Sequence, residues 1–585
     1  MTTTHNIAVT PRRSRLRGSV ARLTPFSAIS LLLSLAFAAL ALYPIVRVLT
    51  RLFVQDGRLD LTPIREVFDQ PDLMSLIGNT VVLVVCGGLL AAGSGSILAW
   101  LTQRTDARIP VISEAVPLLP FLLPPIAGTI GWTLLLSPGA GFINVALRNL
   151  ADVVGITIKE GPLDIYSWWG MIFIYALYMT PFTYLMVVAG LRNMDSQLEE
   201  QARVCGAGVF RTIRRVTIPA IRPNVGAALL LTVWFGFAFY SGPVIIGSRA
   251  DIDVLAVRVV RLLTFTYPPQ TGLAVGLSAF MLIAVGAAWY MQVRLLRNAR
   301  HATIGGREKQ TVIALGRWRW LGRLVILGYV AVASILPIGA LLWVSLRGYW
   351  SAKFDLKGLS LRPFRDMFDD LLTRRALINS FKLAVVGATV GMLVAAVISL
   401  FVQRSKSRLG RFVDATVKAP APIPSIIVAV GFVLALSGPP FNLNGTFLIL
   451  LLAYLVLYMP QASIAADAAA AQVGIGLTEA AHVSGAGGGR TFLRINLPLM
   501  LPGLVAGWAL LFVWMLGELN ASAILAGSNN RVVGFQLLDT FVHGSYARLA
   551  SLAIVLTAVN MIAVLLVMIV GKRLRSGSSL PSTVG

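Results

Sequence analysis

Long apolar runs separated by short polar stretches recur about twelve times along the 585 residues. Each run approaches the roughly 20 helical residues needed to cross about 30 Å of hydrocarbon. They lie near 26–50, 76–101, 111–137, 167–193, 223–247 and 272–294. A second set lies near 319–346, 377–401, 412–437, 446–464, 503–526 and 551–571. Backbone groups cannot stay unpaired in lipid, so helices are the only sensible reading of these runs. Prolines interrupt the third and ninth runs, at 124–125 and 422–424, and there either break a helix beside a cavity or merely kink it. The pattern predicts an all-α polytopic membrane protein with about 12 transmembrane helices.

Composition agrees with that solvent. The chain is 56% hydrophobic and only 13% charged, where a soluble domain carries about 25% charged residues. A net charge of +25 would suggest a nucleic-acid partner in a soluble protein. Here the placement of the basic residues gives another cause. With a cytoplasmic amino terminus, about 30 of the 50 Lys and Arg fall in inside segments, as orientation by positive charge requires. Examples are PRRSRLRGSVAR (11–22), RLLRNARHATIGGREKQ (294–310) and QRSKSRLGR (403–411). Both termini are therefore expected inside, and no nucleic-acid partner is expected. The first apolar run continues to Leu49 without a polar cleavage region, which favours a span over a cleaved leader. Cys86 and Cys205 are the only cysteines, too few and too far apart to argue a disulfide framework or a zinc cluster. Trp168, Trp169 and Trp350 read as interfacial anchors, and Asp467 as a solvated residue at the membrane edge.

The chain repeats itself. An offset of 279 places the block LEEQARVCGAGVFRTIRRVTIPAIRP (198–223) on LTEAAHVSGAGGGRTFLRINLPLMLP (477–502), and 11 of the 24 positions from 200 to 223 are identical. An offset of 300 places IGNTVVLVV…LTQRT (77–105) on LINSFKLAVV…FVQRS (377–405), and PPIAGTIGW (124–132) on PSIIVAVGF (424–432). LYM at 177–179 recurs at 457–459. The chain thus divides into a basic segment 1–25, a first six-helix half 26–294, a linker 295–318, a second half 319–571 and a tail 572–585. Two halves in the same order, each with an even number of spans, are related by a pseudo-twofold axis along the membrane normal.

In each block a Glu-x-Ala stretch begins a short helix, with Glu200 or Glu479 near its positive end. Gly206 and Gly485 fall where a bend or a bare backbone is required. An amphipathic stretch follows, and paired prolines, Pro219 and Pro223 or Pro498 and Pro502, mark entry into the next span. A mere connector has no need to keep one Gly, Arg, Thr and Pro pattern in two otherwise divergent halves, so the blocks read as docking surfaces.

The blocks resemble the EAA loops (Glu-Ala-Ala, three residues, Gly) of binding-protein-dependent ABC importer permeases. The chain as a whole most resembles the fused two-domain permeases of the ferric-iron transporter group, whose relatives carry thiamine, polyamines and phosphonates. The resemblance implies ATPase-coupling loops formed by Glu200, Ala202, Gly206, Ala207, Arg211, Pro219 and Pro223. In the second half it implies Glu479, Ala480, Ala481, Gly485, Ala486, Arg490, Pro498 and Pro502. Gln201 departs from the pattern where the family usually has Ala. The implied partners are two copies of a cytoplasmic ABC ATPase subunit, which would bind ATP and Mg, and an external periplasmic solute-binding protein. The implied place is the bacterial inner membrane, and the implied cargo ferric iron or an iron chelate, with thiamine, a polyamine or a phosphonate as alternatives. No GxxxxGK[ST] occurs, so the chain is expected to be no enzyme and to bind no cofactor or metal of its own.

Ionisable residues within a span are functional candidates by default. Glu518, with Asn520 beside it, lies late in the eleventh run. The offset of 279 sets Phe239 opposite Glu518, with Tyr240 and Ser241 the nearest polar neighbours. These four are the candidates for a translocation pathway; a rival place for Glu518 is the outer interface, solvated or paired with Arg531. An ion-coupled secondary transporter also has two parallel six-helix halves, but it has no need of duplicated docking loops.

Overall fold

The computed structural model describes residues 25–55, 58–110, 112–115, 119–195, 197–299, 312–351, 355–404 and 408–576. Residues 300–311 of the linker 295–318, the basic segment before Pro25 and the tail beyond Ser576 lie outside these residues. The described chain is helical apart from loops and one two-stranded hairpin, Val54–Gln55 with Arg58–Leu59.

Ten helices among the described residues are long and apolar enough to cross a membrane, five in each half. The other two expected spans are broken. In the first half, helices Ile112–Ala115 and Leu119–Leu122 precede the apolar helix Pro125–Leu136; in the second, Arg408–Lys418 precedes Ser425–Leu436. Proline chemistry sets the break. Pro124 and Pro424 are both extended (ψ 141° and 134°), and a new helix starts at the next residue. The prolines at 124–125 and 422–424 therefore interrupt the chain rather than kink it.

The fifth and eleventh spans sit earlier than the hydropathy suggests. Their helices run Ile218–Phe237 and Leu497–Leu516 and carry the block prolines within them, and the chain then turns into the short helices Ser241–Ile245 and Ser522–Leu525. Just before these helices the backbone widens into π turns, Ile213–Thr217 and Phe492–Asn496, each ending two residues ahead of a proline, Pro219 or Pro498. A third π turn, Ala331–Ile335, stands in the same relation to Pro337. A proline ring collides with the carbonyl four residues back, and widening the preceding turn relieves that contact.

Each half is built alike. Helix Leu73–Arg104 packs on Trp168–Asn193 and Ile218–Phe237, and Leu371–Arg404 packs on Phe447–Ala471 and Leu497–Leu516. Water drives no association within lipid, so close approach of small residues and interhelical hydrogen bonds take over. A Cβ on Gly503 would lie 2.7 Å from that of Ala469, and Thr183 Oγ1 donates to the Ala91 carbonyl at 2.7 Å beside Gly95. Ser167 and Thr446, 279 residues apart, cap the matching helices by accepting from Gly170 N and Ile449 N.

The halves exchange their first helices. Helix Pro25–Phe53 packs on Ser425–Leu436 of the second half, and Leu336–Arg347 packs on Pro125–Leu136 of the first. The crossing points are a proline against a glycine. A Cβ on Gly431 would lie 2.8 Å from the Pro44 carbonyl oxygen, and one on Gly131 2.8 Å from that of Pro337. This exchange clamps both broken helices at the centre of the molecule.

Candidate translocation cavity and docking loops

The two broken helices and the ends of the long helices enclose a cavity of about 250 Å³ between the halves. Pro124 and Pro125 line one wall, Pro422 and Pro424 the other. Tyr178 and Tyr458, from the repeated LYM, face it together with Phe121, Phe182 and Trp514. The ring of Phe121 meets those of Phe182 and Trp514 edge-on, with centroids at 5.1 and 6.1 Å. The breaks matter here because they open the backbone at membrane depth only where it lines a cavity.

Three of the four pathway candidates, Glu518, Asn520 and Ser241, line this cavity. Tyr240 does not: it is buried in the helix packing, 1% exposed, while its neighbours Phe239 and Ser241 face the cavity. Glu518 is also buried, 6% exposed. Its Oε1 accepts from Ala521 N at 2.9 Å and its Oε2 from Ser522 N at 3.0 Å, so the carboxylate closes the turn that follows helix Leu497–Leu516. Arg531 is engaged elsewhere, with Asp539 at 2.8 Å and Gln536 at 2.9 Å, so the pairing of Glu518 with Arg531 is not formed. At the position matching Glu518, the ring of Phe239 lies tilted against those of Tyr175 and Tyr178, with centroids at 5.1 and 6.4 Å. The cavity is thus unlike on its two sides, with a carboxylate on one and an aromatic ring on the other. None of the residues lining it is basic.

The duplicated blocks take one geometry in both halves. Helix Gln197–Val204 ends at Gly206, and helix Ile475–Val483 ends at Gly485, both glycines at φ +80°. In the first, Ala207 N donates to Ala202 O and Gly206 N to Arg203 O, the paired bonds of a left-handed helix cap. In the second, Ala486 N donates to Ala481 O. No atom lies within 4 Å of where a Cβ would sit on either glycine, so the positive φ, not crowding, selects Gly. The glycines thus end these helices rather than bend them. A second short helix, Val209–Thr212 or Gly488–Thr491, follows and runs on through the π turn into the span.

Glu200 lies in the first turn of its helix, exposed, whereas Glu479 lies a full turn in. Ala481 is buried and Ala202 half-buried. Arg211 and Arg490 are exposed on the second short helices, while the neighbouring Thr212 and Thr491 are buried, their hydroxyls donating to the Gly208 and Gly487 carbonyls at 3.2 Å. Val204 and Val483 project 88% and 90% exposed just ahead of the glycines, an apolar tip on each loop.

Two residues fall outside the sequence reading. Glu199, one position before the motif, is fully buried. Asp467 is half-buried and paired: its Oδ2 accepts from Lys418 Nζ at 2.8 Å, and Ser399 donates to its Oδ1, which joins Arg408–Lys418 to Phe447–Ala471. Both cysteines are free and exposed, and the described residues hold no group of three or more His, Cys, Asp or Glu able to share a metal ion.

Residues 18–294 and 376–576 each match the family Binding-protein-dependent transport system inner membrane component. Among curated relatives, the Fe(3+)-transport system permease protein FbpB 2 of Haemophilus influenzae is 24% identical over 519 residues, 86% of this chain and 92% of that protein. The ferric transport system permease protein FbpB of Actinobacillus pleuropneumoniae is 21% identical over 527 residues, 89% of this chain and 75% of that protein. The molybdenum transport system permease protein ModB of Escherichia coli is 32% identical over 132 residues, 22% of this chain and 53% of that protein. A crystal structure of a bacterial ABC transporter that imports the acidic polysaccharide alginate aligns with a TM-score of 0.37 and 18% identity, over 47% of this chain and 96% of that one. With the family matched once in each half, the chain belongs to the binding-protein-dependent transport system inner membrane components, as a fused pair of ABC importer permease domains.

Proposed function

We propose that this permease conducts ferric iron, free or chelated, from an external binding protein to the cytoplasm, driven by two copies of a separate ABC ATPase that dock on the two glycine-capped loops. Both termini lie inside in this reading, so the loops face the cytoplasm. The observation that carries it is the pairing of two identical caps, at Gly206 and Gly485, with one central cavity bounded by both halves. ATP and Mg are bound by the partner. When the ATPase dimer closes, the loops approach one another, and the spans that grow directly out of them, Ile218–Phe237 and Leu497–Leu516, carry that motion to the cavity.

The lining of the cavity bears on the cargo. It has one carboxylate, several aromatic and hydroxyl groups, and no basic side chain. An oxyanion such as molybdate or a phosphonate would find no positive charge there at membrane depth, whereas a cation or a neutral chelate meets no like charge. This favours the iron reading suggested by the ferric relatives over the molybdate reading suggested by ModB. The test is uptake by proteoliposomes that contain the chain, its ATPase and its binding protein. ATP-dependent accumulation of ferric iron is the expected result; accumulation of molybdate or an alkylphosphonate instead would reassign the cargo, and uptake driven by an ion gradient without ATP would replace the importer with a secondary carrier.

A further inference from the structure

The first docking helix stands on a buried charge pair. Glu199 turns inward from that helix and is 0% exposed. Its Oε2 lies 3.6 Å from Arg104 Nε, a charge pair with no hydrogen bond between the two atoms, and its Oε1 accepts from Thr217 Oγ1 at 2.6 Å. Arg104, the last residue of helix Leu73–Arg104, is itself buried, and its Nη2 donates to the Leu191 carbonyl at 2.7 Å and the Met194 carbonyl at 3.4 Å. Four segments therefore meet at one guanidinium and one carboxylate. They are the end of Leu73–Arg104, the end of Trp168–Asn193, the docking helix Gln197–Val204 and the π turn that opens the next span.

The second half does this differently. Thr478 stands where the offset of 279 places Glu199, and Asn496 where it places Thr217. Thr478 Oγ1 donates to Asn496 Oδ1 at 3.1 Å, and among the described residues Asn496 Nδ2 has no hydrogen-bond partner. The carboxylate is absent from this half. A buried ion pair is a poor way to gain stability, because the cost of dehydrating both ions offsets much of their attraction, but neutralising one partner leaves the other buried and uncompensated.

We infer that Arg104 and Glu199 are positioning residues that tie the first docking helix to helix Leu73–Arg104, through a carboxylate that the second half replaces by Thr478. Movement of the first loop is passed to a helix packed on Trp168–Asn193 and Ile218–Phe237, both of which line the cavity. This rests on the reading of the loops as ATPase docking sites.

The test uses the full chain with the ATPase that copurifies with it, in a variant free of native cysteines with Gln461→Cys as a reporter in the cavity. The readout is the change in maleimide labelling of that cysteine on adding ATP and Mg, so neither cargo nor binding protein is needed. Glu199→Gln removes the charge at nearly constant size; Glu199→Thr with Thr217→Asn installs the pair of the second half. Both are expected to retain bound ATPase while the ATP-induced change in labelling falls by about fivefold or more. A full labelling response in either variant overturns the proposal, as does loss of folded protein in both, which would make the pair a folding element only. If wild type binds no ATPase, the docking reading itself fails, a result distinct from an unchanged response in variants that bind it.

Discussion

The exchange of first helices makes a sharp stability prediction. Replacing Gly431 by Ala places a Cβ 2.8 Å from the carbonyl oxygen, 3.0 Å from the carbonyl carbon and 3.0 Å from the Cβ of Pro44. Replacing Gly131 by Ala places one 2.7 Å from the Cβ and 2.8 Å from the carbonyl oxygen of Pro337. Such separations lie inside van der Waals contact, and the opposing atoms belong to backbone and a proline ring, so no rotamer change relieves them. The crossing helix must move bodily, at a cost of about 1–3 kcal/mol per site. The double variant should add the two costs, because the crossings join separate pairs of helices. Gly139→Ala and Gly438→Ala, just beyond the same two helices, meet no atom within 4 Å and serve as controls. Thermal unfolding in mild detergent, followed by monodispersity, should rank both crossing variants below both controls, with the double variant lowest. Crossing variants as stable as the controls would refute the exchange of helices and the clamp it places on the broken ones.

Other expectations follow from single groups. Glu518→Ala leaves Ala521 N and Ser522 N buried without their acceptor, and about 1–3 kcal/mol per amide is expected as lowered thermal stability; Glu518→Gln keeps one acceptor oxygen and should lose less, and equal losses would contradict the capping role. Outside the spans, the hydrogen bond from Arg258 holds the Asp72 carboxyl below its ordinary value of 3.8. A depressed folded-state pKa gives stability that is present above the ordinary value and lost as pH falls through the lower one. The stability gap between wild type and Asp72→Asn should therefore be widest near neutrality and shrink below about pH 4; a gap independent of pH would show the charge to be irrelevant.

Much of this architecture was legible in the order of residues, for identifiable reasons. The paired glycine-capped loops were visible because a left-handed cap demands glycine, and a demand met twice at one offset leaves a repeated motif. Prolines inside apolar runs marked where the broken helices lie, while leaving break and kink open. What escaped depends on which way a side chain turns. Glu200 carries the motif, yet Glu199 is the buried partner of Arg104, and the two are adjacent letters on opposite faces of one helix. Tyr240 sits between two cavity-lining residues but points into the packing, since the register of the chain beyond Phe237 is set by short helices that hydropathy does not resolve. Asp467 looked solvated because its partner Lys418 belongs to another helix, 49 residues earlier. The repeated LYM held a further clue, in that Tyr178 and Tyr458 both line the cavity, but nothing in the repeat alone separates a lining residue from a core one.

The central claim is that two glycine-capped loops couple this chain to an ATPase. The most direct test is purification of the wild type and of a Gly206→Asp/Gly485→Asp double variant in mild detergent, with ATPase activity followed through each step. Asp adds a side chain at φ +80° and a negative charge to the exposed tip of each loop, while the spans contain no atom close enough to be displaced. The account predicts that an ATPase subunit copurifies with wild type and is lost from a variant whose spans remain folded. Retention of the ATPase by the folded variant, or its absence from wild type with transport driven by an ion gradient, would contradict it.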